Sequence, residues 1–380
     1  MPRVVLLVES SRFSGRSLLR GIANYARDHG PWTFIWEPGG LETARSRLKN
    51  LDADGIILRD VEGMEHVLEC GLPAVIVGHS RHEVPGVANV TTDSEAIGIL
   101  AAEHLLNRGF RQFAYCGVEG SPWSVLRGDS FARRLQRDGF ETHFHPPPPV
   151  KRWRSVRPAE GRLLAEWVTG LPKPLGVMAG NDDRGEQVIE ACKMAGIRVP
   201  DDVAIVGADK DDLVCDLSDP PLSSVAIGFE RAGYECAGVL DGLMRGDKRG
   251  QRQISVLATH VVTRRSTDIV AVDDPQLAAA LRFIRDHARD VVSVPDVARA
   301  AGLSRRVLER RFRSALRRSA LAEIRRVRVA QICRLLVETS LSVSEIARAL
   351  GYQGSEHLAR YFRSERHIPP LAYRKRFNSR

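Results

Sequence analysis

The sequence predicts an α/β domain of two lobes followed by an all-α domain that holds two helix-turn-helix units. Three observations carry the prediction. Short apolar runs alternate with helical stretches in two successive cycles between residues 4 and 262, the pattern of parallel sheets with helices on both faces. The stretch Ser293 to Arg376 then repeats one grammar twice. Charge is divided unevenly: the 380-residue chain is +9 overall, yet residues 273 to 380 carry 23 Lys and Arg against 11 Asp and Glu, so the rest is slightly acidic. A basic footprint confined to one end favours a polyanionic partner there, through phosphate neutralisation and counterion release.

The first cycle reads as strand Val4 to Val8, helix Ser14 to Asp28, strand Thr33 to Trp36 and helix Leu41 to Leu51. Strand Gly55 to Leu58, a helix near Val61 to Glu69 and strand Ala74 to Val77 follow, each apolar run bounded by Gly, Pro or Asp. The second cycle opens at Phe113 to Cys116 and runs through helices near Val125 to Asp138 and Pro158 to Thr169. Its later strands are Gly176 to Ala179 and Val203 to Val206, with a helix Asp183 to Met194 between them and a last strand Ile254 to Val262. The chain is expected to cross between lobes near Arg111 and to return near Ser223. Domain bounds follow at 1–265 for the two lobes, 266–274 for a linker and 275–380 for the helical domain, opened by Asp274 and Pro275.

In the helical domain Ser293 and Ser342 each cap a short helix with apolar residues at helical spacing (Val297, Ala298, Ala301; Ile346, Ala347, Leu350), and Gly302 and Gly351 supply left-handed turns. The helix after each turn is the candidate reader of DNA. It keeps Val307, Leu308, Phe312 or Leu358, Tyr361, Phe362 inward. Outward it turns Arg305, Arg306, Glu309, Arg310 and Arg313, then Ser355, Glu356, Arg360 and Arg363. Ser319 to Glu338 between the units is an amphipathic helix of roughly 30 Å. That length suits two reading helices entering successive major grooves about 34 Å apart.

This region, through its closing Pro370-Leu-Ala-Tyr373-Arg374, resembles the DNA-binding domain of the AraC/XylS family. It departs from that family at Arg317 and His367, where Gly is usual, and at Pro369, where Thr is usual. The segment Thr92 to Gly117, with Ala179-Gly-Asn-Asp182-Asp and Val203-Ala-Ile-Val-Gly207-Ala-Asp209, resembles the LacI/GalR regulator core and the periplasmic sugar-binding proteins, over roughly residues 4 to 262. The resemblance implies a periplasmic-binding-protein-like sensor whose lobes close on a small ligand at the carboxyl ends of their strands.

Asp182 and Asp209 each follow a predicted strand, which places carboxylates at the cleft edge as acceptors for hydroxyls, and Arg127 is a forked donor. Ser10, Ser11, Arg12 and Phe13 lie in the loop after the first strand. Trp123 reads equally as a face for a sugar ring or as a lid or core aromatic. Asp183 and Asp211 read as acids at helix N-termini. The expected partners are duplex DNA and a neutral monosaccharide, with a homodimer pairing through the first lobe, RNA polymerase as a possible contact of an activator, and a cytoplasmic location.

An enzyme is disfavoured because no G-x-G-x-x-G after the first strand, Walker motif, G-x-S-x-G or H-E-x-x-H occurs. No cofactor is expected. The six cysteines show no C-x-x-C spacing and read as buried thiols, and His143 and His145, beside the Pro146 to Pro149 run, have no third ligand at useful spacing for a metal. Glu309 and Glu356 on the reading faces disfavour DNA binding without regard to sequence, since carboxylates repel phosphate and serve base readout.

Overall fold

A computed structural model describes residues 1–41, 52–61, 63–78, 84–146, 157–247, 253–269, 271–272 and 274–377. The apolar run after Pro2 forms β1 (Arg3–Leu7), buried from Val4 onward as strands covered on both faces are. It lies in parallel between β2 (Thr33–Trp36) and β3 (Gly55–Arg59). With β4 (Ala74–Val77), β5 (Ala88–Thr92) and β11 (Gln253–Val256) these make a parallel sheet of order β11-β5-β4-β3-β1-β2. Helices α1 (Phe13–His29) and α8 (Phe229–Met244) pack on each other, and α8 lies against this sheet. The helix expected at Leu41 to Leu51 lies, after Leu41, outside the described residues, and the one near Val61 to Glu69 shrinks to a single turn, α2 (Glu65–Leu68).

The second sheet joins β6 (Gln112–Cys116), β7 (Thr142–Phe144), β8 (Leu175–Ala179), β9 (Val203–Asp209), β10 (Ser223–Ile227) and β12 (Ala258–Val262) in the order β12-β10-β9-β8-β6-β7. Only β12 runs antiparallel to its neighbour among the described pairs. Around it stand α3 (Ser94–Leu106), α4 (Pro122–Gln136), α5 (Arg157–Gly170), α6 (Asp182–Met194) and the short α7 (Asp212–Leu217).

Three sequence expectations about the crossings are corrected. Helix α3 packs on α4 and the second sheet, so the chain leaves the first lobe at Asp93, not near Arg111. It returns at Gly228, after β10, not near Ser223. The apolar run Ile254 to Val262 is not one strand: Leu257 divides it between the two sheets and makes a third crossing. The crossings lie together, since the Asp93 N–H donates to the Val256 carbonyl at 3.0 Å and the Gly228 N–H to the Leu257 carbonyl at 2.9 Å.

The helical domain contains α9 (Pro275–Asp286), α10 (Val294–Ala300), α11 (Arg305–Leu316), α12 (Ala320–Glu338), α13 (Val343–Ala349), α14 (Ser355–Arg366) and α15 (Pro370–Phe377). Both short helices, α10 and α13, open with a full capping box, Ser293 with Asp296 and Ser342 with Glu345. Gly302 and Gly351 adopt φ of 63° and 71°, as the turn demands. Each unit has its own core, one around Leu281, Leu308 and Phe312, the other around Ile332, Leu358 and Phe362.

Arg317 and His367 end the two reading helices in the left-handed region, at φ of 54° and 61°. A side chain there is strained, by roughly 1–2 kcal/mol before the flexibility of Gly in the unfolded chain is subtracted. Arg317→Gly and His367→Gly are therefore each expected to stabilise the domain by about 0.5–1 kcal/mol. A raised denaturation midpoint measures it; an unchanged or lowered one counts against the strain.

The segment expected to be a linker is docked instead. Ser266 and Thr267 are fully buried, and the Ser266 hydroxyl donates to the Ile205 carbonyl at 2.6 Å. Further on, the Ala271 N–H donates to the Arg108 carbonyl at 2.7 Å. Arg318 Nη1 donates to Asn107 Oδ1 at 2.8 Å, Arg111 Nη2 to the Ala315 carbonyl at 3.1 Å, and His260 Nε2 lies 3.0 Å from Glu338 Oε1. Thus the helical domain is seated on the second lobe by direct polar contacts.

Candidate functional site

Between the lobes, at the carboxyl ends of both sheets, lies a cleft of about 2270 Å³. Small-ligand sites commonly hold about 300–1,000 Å³, so a small ligand would fill only part of it. All six candidate residues, Ser11, Phe13, Trp123, Arg127, Asp182 and Asp209, line it.

Arg127, Trp123 and Asp209 form one constellation on the second lobe. Arg127 is 3% exposed on α4, and its Nη1 donates to the Gly180 carbonyl at 2.6 Å while Nη2 reaches Asp209 Oδ1 at 3.3 Å. Its guanidinium carbon sits 4.6 Å from the centre of the Trp123 ring, a cation–π stack that fixes the indole at the cleft wall. The Arg127 Nε is buried without a hydrogen-bond partner. Asp209 ends β9 with φ of 108° and Lys210 follows at 57°, two successive strained residues of the kind that gather at binding sites. Burial raises the Asp209 carboxyl above its ordinary range, against the pull of Arg127.

Asp182 is placed differently from Asp209. It is 2% exposed at the start of α6, where Oδ1 accepts from the Ser224 hydroxyl at 2.6 Å and Oδ2 from the Asp211 N–H at 2.7 Å. Its oxygens knit α6 to β10 and to the turn between β9 and α7. A Cβ on Gly207 would lie 2.3 Å from Asp182 Oδ1, so the close approach needs glycine there. Burial, and then neighbouring Asp209, raise the Asp182 carboxyl well above its usual range.

Ser11 is exposed and accepts through its carbonyl from Arg16 Nη1 at 2.5 Å, whereas the half-buried Phe13 donates its N–H to Asp211 Oδ2 at 3.1 Å. That bond joins the lobes. Arg12 pairs with Asp183, and Arg16 lies 3.8 Å from Asp211, across the same divide. Asp183, in the first turn of α6, and Asp211, at the N-cap position of α7, are helix-end acids as expected and interlobe partners as well; the side-chain cap of α6 is Asn181, which accepts from the Arg184 N–H at 3.0 Å. Arg12, of the loop after the first strand, also lines the cleft, as do Glu9 and Arg59, which sequence reasoning missed. Arg59 had a usable signal, since it follows a predicted strand as directly as the two aspartates do.

On the helical domain Arg305, Arg306, Arg310 and Arg313 of α11 are exposed, as are Glu356, Arg360 and Arg363 of α14. Glu309 corrects the expectation of an outward acid: it is half-buried, with Oε2 shielded and lacking a hydrogen-bond partner. Ser355 is half-buried at the first position of α14. Arg311 turns inward to Asp274 at 2.7 Å, fastening α11 to the start of α9. The exposed faces are rich in forked donors, the chemistry that fits guanine edges and phosphates.

The expectation of buried cysteines holds for five, while Cys70 is exposed. His145 stacks edge-on against Trp167 at 4.9 Å, and burial lowers its pKa to about 4. Pro147 to Pro149 lie outside the described residues. Among the described residues no group of three or more His, Cys, Asp or Glu is placed to hold a metal, and no helix is long and apolar enough to cross a membrane.

The periplasmic binding protein-like domain family matches residues 102–267, and a helix-turn-helix domain family matches residues 297–376. The chain is 29% identical to the xylose operon regulatory protein of Escherichia coli (strain K12), over 98% of this chain and 96% of that one. It is 27% identical to the protein of the same description from Haemophilus influenzae (strain Rd), covering 98% of each. The solved structure of a xylose-binding transcription activator superposes with a TM-score of 0.60 at 27% identity, covering 99% of this chain and 98% of the other. Relatives matched end to end are transcription regulators, not enzymes. The chain is itself a transcription regulator with a periplasmic-binding-protein-like domain ahead of a helix-turn-helix DNA-binding domain, and is similar over nearly its whole length to xylose operon regulatory proteins.

Proposed function

We propose that this regulator binds a neutral monosaccharide, D-xylose, in the interlobe cleft and activates a pentose-catabolic operon in the cytoplasm, as a homodimer that contacts RNA polymerase. The observation that carries the reading is a strand-end cleft with Arg127, Asp209 and Trp123 on one wall, in a chain matched throughout by proteins described as xylose operon regulators. Neutral ligand chemistry suits the site. Asp209 and Arg127 already compensate each other, so the remaining need is for hydroxyls that accept from one and donate to the other. The exposed arginines of α11 and α14 are assigned base and phosphate contacts, with Glu356 accepting from a base edge.

Calorimetry of the full chain with D-xylose tests the sugar site. Asp209→Ala is expected to weaken binding by roughly 1.5–3 kcal/mol, the loss typical of a hydrogen bond to a charged group, without unfolding the lobe. Unchanged affinity rejects the site. Control of DNA binding adds a second requirement, because operator must raise sugar affinity by the same factor that sugar raises operator affinity. A tenfold effect corresponds to about 1.4 kcal/mol of coupling. Equal sugar titrations with and without operator would place sugar control after DNA binding.

A further inference from the structure

We propose that Arg59 is the first-lobe recognition residue for the effector, donating to a sugar hydroxyl that Asp209 engages from the opposite wall. The proposal rests on the cleft being the sugar site. Arg59 ends β3, at the carboxyl edge where open parallel sheets receive ligands, and it lines the cleft. Its partners within the protein are few. Nη2 donates to the Ser14 hydroxyl at a long 3.3 Å, and Nε is buried with no hydrogen-bond partner. A guanidinium carries five N–H donors, and one left without a partner away from water is costly.

The surrounding charge explains why the group is held there. Burial works against the Arg59 cation, while Glu9, Asp60 and Asp209 support it, and Asp209 belongs to the other lobe. Arg59 and Asp209 therefore line one cleft from opposite lobes, each in the field of the other. A neutral hydroxyl placed between them accepts from the guanidinium and donates to the carboxylate, so both walls are satisfied by one group. Binding strength then depends on how far the lobes have closed, because Arg127 and Asp209 share a lobe and by themselves reward no closure. A purely structural role for Arg59, bracing Ser14 at the start of α1, predicts no preference among sugars.

The test is calorimetry of the full-length chain with D-xylose and its singly deoxygenated analogues, for the native protein, Arg59→Met and Arg59→Lys, with thermal midpoints measured in the absence of sugar. Arg59→Met is expected to weaken xylose roughly tenfold to a hundredfold. It is also expected to lose the native chain's discrimination against one deoxy analogue, the one lacking the hydroxyl that Arg59 serves. Arg59→Lys keeps the charge without the planar fork and is expected to fall between the two; it carries the same test if Arg59→Met does not fold. Unchanged xylose affinity, or native discrimination against every analogue retained in the variants, overturns the assignment while leaving the Asp209 site standing. Absence of xylose binding by the native chain overturns the sugar reading and this assignment with it.

Discussion

Glu323→Ala is expected to be among the most damaging single changes in the helical domain, at about 3–5 kcal/mol, the range for stripping one partner from a buried ionic cluster. Glu323 is fully buried in the first turn of α12. It takes a fork from Arg326 at 2.7 and 2.9 Å and pairs with Arg318 at 2.7 Å. Burial alone would raise its carboxyl, but Arg326, Arg318 and Arg285 hold it below the ordinary range. Loss of the carboxylate leaves these cations facing one another beside the contact of Arg318 with Asn107 of the sensor. The sign of the pH effect follows from the lowered value: the contribution is present above the unfolded carboxyl's pKa of about 4.3 and disappears as pH falls through the folded one. Scanning calorimetry that follows the helical domain checks both statements. An unaltered transition in Glu323→Ala would sink the idea that this cluster holds the junction.

The paired variant Arg306→Ala with Arg360→Ala, one exposed arginine from each reading helix, is expected to lose about 2–6 kcal/mol of operator affinity. Each contact to a base contributes roughly 1–3 kcal/mol, and sites in separate grooves add approximately. The single variants separate base from phosphate contacts. Relaxed preference at one base pair marks a base contact, whereas uniform weakening and a salt slope smaller by about 1 mark a phosphate. Operator titrations at several salt concentrations read both quantities. Affinity and slope unchanged in the pair would mean that these helices do not face DNA.

Much of the architecture was legible because its signals are local. Ser293, Ser342, Gly302 and Gly351 mark helix ends by their own backbone chemistry, and the structure shows the caps and left-handed turns that they announce. Strand-end positions likewise brought Asp182 and Asp209 to the cleft without reference to any distant residue. What failed was non-local. Ile254 to Val262 is one uninterrupted apolar run, and nothing in its own composition says that Leu257 leaves one sheet for another. Arg264 to Pro275 has the composition of a linker, yet its burial depends on Arg108, Ser223 and Ile205, all remote in sequence. Asp182 and Asp209 looked equivalent by spacing. The partners Ser224 and Arg127 distinguish them, and only the fold supplies those partners.

The crossings at Asp93, Gly228 and Leu257 are joined side by side through main-chain hydrogen bonds. A single strand between two bodies permits bending, twisting and sliding; three stitched together oppose twisting and sliding, which leaves hinge rotation as the easiest motion. If hinge rotation is the motion that an occupant of the cleft biases, two compounds that settle the lobes at the same angle are expected to give the same output at the DNA-binding domain. Such a hinge would report the geometry of closure rather than the identity of the compound that caused it.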